Sequence, residues 1–172
     1  YALFRFDAKL IRRDLSSVIK IKERLRFSHT KRQAVSKCEQ NNIKVFENKN
    51  FDEYWQLLTQ VLSKHNAVPV HSVEEITALH QKFPERIRLF EARRDATLLA
   101  GILIYDYNNV VHTQYMANSV AGRKLGALDL INDYLINTTY SHKEYFSFGI
   151  STESQGTVLN TGLIQQKEMM GA

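Results

Sequence analysis

Nine residues in the middle of the chain, Leu98–Asp106, are almost wholly apolar. A run of that length and character reads as a central β-strand covered on both faces. Alternating runs flank it at Arg86–Arg93, with Ile87, Leu89 and Phe90 as the apolar set, and at Val110–Met116. Only Arg94-Asp95 and Asn108-Asn109 separate the three, and Asn suits turns because it tolerates positive φ. Connections this short leave no room for a crossover, so the strands form an antiparallel meander. The period then changes. Leu125, Leu128, Ile131, Leu135 and Ile136 follow helical spacing from about Arg123 to Thr139; Tyr145–Gly149 is a buried strand and Thr157–Met170 a second helix. A meander joined to a crossover helix predicts an α/β fold with a mixed sheet, ordered β-β-β-α-β-α, in which the strands at 110 and 145 run parallel.

The first half is less regular. Leu3, Phe4, Phe6, Leu10 and Ile11 read as strand in irregular surroundings. Ser28 or Thr30 caps a helix reaching about Asn41, and Ile43–Phe46 is a short strand. Asn50 or Asp52 caps a helix that buries Tyr54, Trp55, Leu57, Leu58, Val61 and Leu62. Ser72 and Glu75 form a capping-box pattern for a helix to about Lys82, and Pro84 stops its continuation.

Charge is uneven along the 172 residues. Residues 1–37 hold 11 Lys and Arg against 3 acids, and the rest holds 12 against 15. A basic third of this kind suits RNA, anionic lipid or a phosphorylated substrate, or forms a solvated helix face. Aromatic residues do not interleave the basic ones as they do in base-stacking proteins. No run approaches the ~18 apolar residues of a membrane helix. The single cysteine, Cys38, excludes an internal disulfide framework and fits a reducing cytoplasm. The chain begins abruptly at Tyr1 without a signal-peptide pattern and reads as a fragment of something longer.

The chemistry-bearing residues gather after the meander. Gly122-Arg123-Lys124-Leu125-Gly126 lies between a strand and a helix, where a helix N-terminus offers free N–H groups and partial positive charge to a phosphate. The spacing is that of neither a Walker A loop nor GxGxxG. Strict alternation puts His112 and Gln114 on one face of their strand and Thr113 and Tyr115 on the other. An imidazole near neutral pKa is a candidate general base for an amine, with a structural role as the alternative. His71, after a proline at a helix entrance, either meets an acceptor or caps. Ser151 and Glu153 follow a strand end, where ligands of α/β proteins bind. Asp129 and Asp133, one turn apart, either pair with substrate or form a solvated face. Cys38 has no His partner in sight for nucleophilic catalysis, and six scattered His give no metal-ligand spacing.

Arg123 and Gly126 resemble the pyrophosphate motif Arg/Gln-x-x-Gly-x-Gly/Ala of the GNAT acyl-CoA N-acyltransferases, with Leu128 at the last small-residue place. Asn160 and Gly171 resemble the ends of that family's Asn-x-x-Ala-x-x-Leu-Tyr-x-x-x-Gly-Phe pattern, with Lys167 where the family carries its Tyr acid. Phe146–Glu153, Leu159-Asn160, Gln166–Ala172, Pro69-Val70-His71 and Val111–Tyr115 resemble the FemAB-like branch, which acts in envelope or polysaccharide biosynthesis. The resemblance implies an N-acyltransferase moving an acyl or aminoacyl group from acetyl-CoA, another acyl-CoA or aminoacyl-tRNA to an amine acceptor, without a metal. It implies His112 and Lys167 as catalytic residues and Met116, Ala117, Gly122, Arg123, Lys124, Gly126 and Asn160 as donor contacts. His71, Gln114, Tyr115, Ser151 and Glu153 would meet the acceptor. FemAB-like proteins have two such halves, so residues 1–48 would end the first and residues 49–172 form the second. Residues 86–172 would bind the cofactor, and further strands would follow Ala172. The alternatives are an inactive module holding a phosphate-containing ligand, RNA or a partner protein, and a homodimer formed through an open sheet edge.

Overall fold

The computed structural model describes residues 1–172. One helical turn, α1 (Ala2–Arg5), and an irregular stretch lead to strand β1 (Ser16–Lys20), helix α2 (His29–Gln40) and strand β2 (Lys44–Asn48). Helices α3 (Asp52–Ser63) and α4 (Val73–Lys82) precede the meander β3 (Ile87–Arg94), β4 (Thr97–Asp106) and β5 (Val110–Asn118). Helices α5 (Val120–Leu125) and α6 (Ala127–Tyr134) cross over to β6 (Tyr145–Ile150), with a π turn at Leu135–Thr139. A two-residue hairpin pair, β7 (Thr152–Glu153) and β8 (Val158–Leu159), and helix α7 (Thr161–Glu168) complete the chain.

The long strands form one mixed sheet of six in the order β1-β6-β5-β4-β3-β2. The apolar run is its central strand: seven consecutive residues of β4, Leu98–Ile104, are buried. One face carries a core of 21 buried residues under α2 and α6, including Cys38, Ile102, Ile131 and Phe146. The other carries 10 under α3 and α4, including Tyr54, Trp55, Ile76 and Leu103. The meander is antiparallel and β5–β6 parallel, as the short turns and the crossover require.

Local signals hold where side-chain chemistry dictates them. Ser28 caps α2, its Oγ accepting from Lys31 N. Ser72 Oγ accepts from Glu75 N (3.2 Å) while Glu75 returns a carboxylate to Ser72 N (2.7 Å), closing the capping box. Asn50 Oδ1 accepts from Asp52 N (2.9 Å), but Phe51 holds the N-cap position of α3. Neither Asn108 nor Asn109 takes positive φ; in the other turn Asp95 does, at 52°.

Several expectations are overturned. Leu3, Phe4, Phe6, Leu10 and Ile11 form no strand and are exposed, because no neighbouring strand lies alongside them. The strand is instead at 16–20, where Ile19 enters the core. The sheet shows no boundary at residue 48: β1 and β2, both upstream of it, are the two edges of the sheet that residues 49–172 build. β1 occupies the outer side of β6, where later strands were expected to add. The helix predicted over 123–139 is broken at Gly126, whose φ of +86° ends α5 and starts α6. Helix α7 begins only at Thr161, since the hairpin pair uses the residues before it.

Candidate functional site

The site is a fork. Strands β5 and β6 pair through three rungs only, Val110↔Tyr145, Val111↔Phe146 and His112↔Ser147. Beyond them β5 stays with β4 as far as Asn118, while β6 stays with β1 as far as Ile150. At this point β5 also bulges: Thr113 pairs with Ile104 and Tyr115 with Leu103, leaving Gln114 as an extra residue. A bulge resets the side-chain alternation. His112 and Tyr115 therefore stand opposite Tyr105 and Leu103, which share a face, and the expected grouping of His112 with Gln114 by strict alternation does not hold.

Lys167 sits at the fork. Its side chain is on α7 and the residue is 2% exposed. Nζ donates to the carbonyls of Gly149 (3.0 Å) and Ile150 (2.8 Å) and to Ser151 Oγ (2.7 Å). All three acceptors are neutral, so nothing offsets the desolvation of the charge. Burial accordingly pushes the Lys167 ammonium down to about 8. His112 Nδ1 lies 3.3 Å from Ser147 Oγ. Burial, with the positive Lys167 nearby, lowers its pKa and favours the neutral ring.

Two cavities open at the fork and share Met116, Leu163 and Lys167 as walls. One of about 370 Å³ is lined by His112, Thr113, Gln114 and Gly149, with Ser16 from β1. The other, about 430 Å³, lies between the end of β5, the start of α6 and α7; Lys31, Asn118, Arg123, Gly126, Asp129 and Asn132 line it. Lys31 on α2 pairs with Asp129 in the first turn of α6 at 2.6 Å. Of the expected residues, the fork thus brings together His112, Gln114, Met116, Arg123, Gly126 and Lys167.

The others are placed elsewhere or are occupied. The Gly122 amide donates to Ser119 Oγ (2.9 Å), and the residue is buried against Leu99 and Asn118. Lys124 is exposed, and its carbonyl accepts from Lys37 Nζ. Ala117 is buried in the core under α3. Asn160 caps α7, Oδ1 accepting from Leu163 N (2.8 Å), and its amide donates to Glu153 (2.6 Å). Ser151 is buried and holds Lys167. Tyr115 Oη lies 2.9 Å from His71 Nδ1 and accepts from Val70 N. His71 lines a separate open groove of about 920 Å³ with Leu79, Phe83 and Tyr105. Asp133 bonds Asn137. Cys38 is buried, donates to the Leu125 carbonyl, and is pushed up to about 11 by burial, which leaves it no thiolate for nucleophilic attack near neutral pH. No three His, Cys, Asp or Glu side chains gather as metal ligands.

Sequence reasoning missed Lys31, Asn118, Asn132 and Gln166. Asn132 did leave a signal, a polar residue within the apolar stripe of Leu128, Ile131 and Leu135. Lys31 left none, since contact between α2 and α6 is purely tertiary.

The cavity beside α6 suits a carrier arm. Arg123 on its rim has no ion pair, Gly126 turns the backbone there, and Asn118 and Asn132 each present an unpartnered Oδ1. The place for an anion is narrower than the sequence implied. Gly122 offers no free amide, and the Asp129 carboxylate already stands in the first turn of α6.

A mixed sheet whose parallel pair splits beside a crossover helix defines the GNAT class of acyltransferase folds. Residues 26–154 match the family model described as "Acetyltransferase (GNAT) domain", and the chain belongs to that family. No protein of curated function matches it. Among solved structures it is similar to FemX, with TM-score 0.73 and 11% identity over 94% of this chain and 59% of that one. It is also similar to L-PGS from Bacillus licheniformis, with TM-score 0.69 and 13% identity over 98% and 60%. A third match is the C-terminal domain of a putative lysylphosphatidylglycerol synthetase from Agrobacterium fabrum, with TM-score 0.60 and 14% identity over 82% and 48%. At such identities the likeness is one of fold. The chain spans about half to three fifths of the length of these structures.

Proposed function

We propose that the chain is the transfer module of an N-acyltransferase, moving an acyl or aminoacyl group from acyl-CoA or aminoacyl-tRNA to an amine. One observation carries this reading: β5 and β6 part after three rungs, with the Lys167 ammonium buried at the parting. The donor supplies a carbonyl activated as a thioester or ester. Neutral His112 takes the proton that the attacking amine loses as its C–N bond forms. Lys167 holds positive charge where the carbonyl oxygen and the leaving group become negative, and gives a proton to the leaving sulfur or oxygen as its bond to carbon breaks. The similarity to proteins described as FemX and lysylphosphatidylglycerol synthetase favours aminoacyl donors and an acceptor in envelope chemistry. Both donor types are made inside the cell, which favours the cytoplasm as its place of action.

A second reading, an inactive binding module, is favoured by the saturation of all three Lys167 N–H groups. Transfer assays with acetyl-CoA and with aminoacyl-tRNA, using primary amines as acceptors, separate the two. Transfer that falls roughly 100-fold in Lys167→Met and in His112→Ala is expected. Wild-type rates in both variants refute these roles. Donor binding without turnover in the wild type selects the second reading.

The pH profile sharpens the assignment. His112, lowered by burial, stays neutral from mildly acidic pH upward, so it sets the acid limb. Lys167 must keep its proton, so activity declines as pH rises through about 8. Arginine does not deprotonate in this range, and any activity left in Lys167→Arg is expected to lack the alkaline limb.

A further inference from the structure

Asn132 is an anomaly in the cavity beside α6. It is 1% exposed, on a helix face that otherwise buries Ala127, Leu130 and Ile131. Its amide nitrogen donates to the Leu128 carbonyl at 3.0 Å, which fixes the orientation of the amide, because a flipped group would set oxygen against oxygen. The remaining branch, Oδ1, is therefore a true acceptor, and it has no hydrogen-bond partner in the protein. Asn118, at the end of β5, lines the same cavity and also has an unpartnered Oδ1. Met116, Leu163 and Met170 supply apolar wall. Buried acceptors left unmade are costly, so two of them on one cavity need an explanation.

Chemistry limits what can satisfy them. A phosphate or carboxylate would place lone pair against lone pair. A group with N–H donors completes both. Arg123 on the rim has no ion pair and can take a negative group a short way along the same ligand. Building on the transferase reading, we propose that this cavity reads an N–H-bearing arm of the donor next to its phosphate, through Asn132 Oδ1 with Asn118 Oδ1 beside it. Two sources share that chemistry: the amides of the pantetheine arm of an acyl-CoA, and the amine of an amino acid carried on the terminal adenosine of an RNA. Asn132 is a specificity-determining contact for either, and the proton-transfer groups lie elsewhere at the fork.

Calorimetric titration tests the assignment with three probes. The first is coenzyme A. The second is an RNA microhelix ending in CCA with amide-linked alanine. The third is inorganic pyrophosphate, which carries no N–H. Whichever of the first two binds the wild type is expected to weaken roughly tenfold in Asn132→Leu, as for one lost hydrogen bond at the upper end of its usual worth. Pyrophosphate, if it binds, should respond to Arg123→Ala and ignore Asn132→Leu. Thermal unfolding of the free protein gives a second readout. Removing an orphaned acceptor should leave Asn132→Leu at least as stable as the wild type, whereas an asparagine kept for its bond to Leu128 would make the variant less stable. Asn118→Leu serves as the independent variant should Asn132→Leu fail to fold. Unchanged affinity in a folded variant overturns the proposal, as does failure of both N–H-bearing probes to bind the wild type. If transfer proceeds at wild-type donor affinity in Asn132→Leu, only this inference falls and the transferase reading stands.

Discussion

The two ends of the β5–β6 pair have the same strands and opposite chemistry. At the closed end, Val111 and Phe146 sit side by side, both fully buried, in a core that excludes polar groups. At the open end, a few residues on, the wall atoms are an imidazole, an amide, an ammonium and backbone carbonyls. What divides the ends is backbone geometry. The bulge at Gln114 turns β5 away from β6, and β1 and α7 occupy the side that β6 then presents. The closed end holds the strands at fixed spacing. The open end uses that spacing to leave a slot that no apolar side chain fills.

Substitutions at the two ends should behave differently. The largest loss of stability is expected at the closed end, where Phe146→Ala should cost about 3–5 kcal/mol by urea unfolding. A small loss there would mean that the rungs below His112 do not anchor the fork. Lys167→Met, at the open end, should act mainly on transfer, by the roughly 100-fold given above. It should also change how stability depends on pH. The folded ammonium titrates near 8 and the unfolded one near 10.5, so between these values the unfolded chain binds more protons. Wild-type stability should therefore rise from pH 8 to 10.5, and a flat difference between wild type and Lys167→Met over that window would show that Lys167 is not desolvated. Gly126→Ala forces an alanine into positive φ with its Cβ 2.7 Å from that of Ala34, for a loss of about 2 kcal/mol and weaker donor binding. The smallest effect is expected away from both ends: Ser72→Ala removes one arm of the capping box for about 1 kcal/mol, with transfer unchanged.

The parts of this molecule legible in the sequence are those written in local chemistry. The capping box at Ser72, the apolar β4 and the change of period after Met116 each depend on neighbours within a few residues. They fixed the meander, the crossover and the parallel pair. The position of the fork followed from that order, together with Arg123, Gly126 and Lys167 on its walls. What stayed hidden was tertiary. Periodicity cannot announce a bulge, so Gln114 broke the alternation on which the grouping of His112 rested. Asn160 looked free for a ligand because the hydrogen bonds that occupy it come from residues whose fold is set by α7. The apolar side chains before Asp14 mimicked a strand, since composition does not say whether a neighbouring strand is present.

The outer strand β1 is made early and seated late. Its contacts reach far along the chain: Ser17 lies beside Ser151, 134 residues away. A nascent chain must therefore emerge nearly whole before β1 finds β6, and closing so long a loop is slow. Until then β6 presents a bare hydrogen-bonding edge beside the fork. The last act of folding is thus the one that completes the pocket around His112, through Ser16, and a refolding experiment should recover the helices before it recovers the ability to bind a donor.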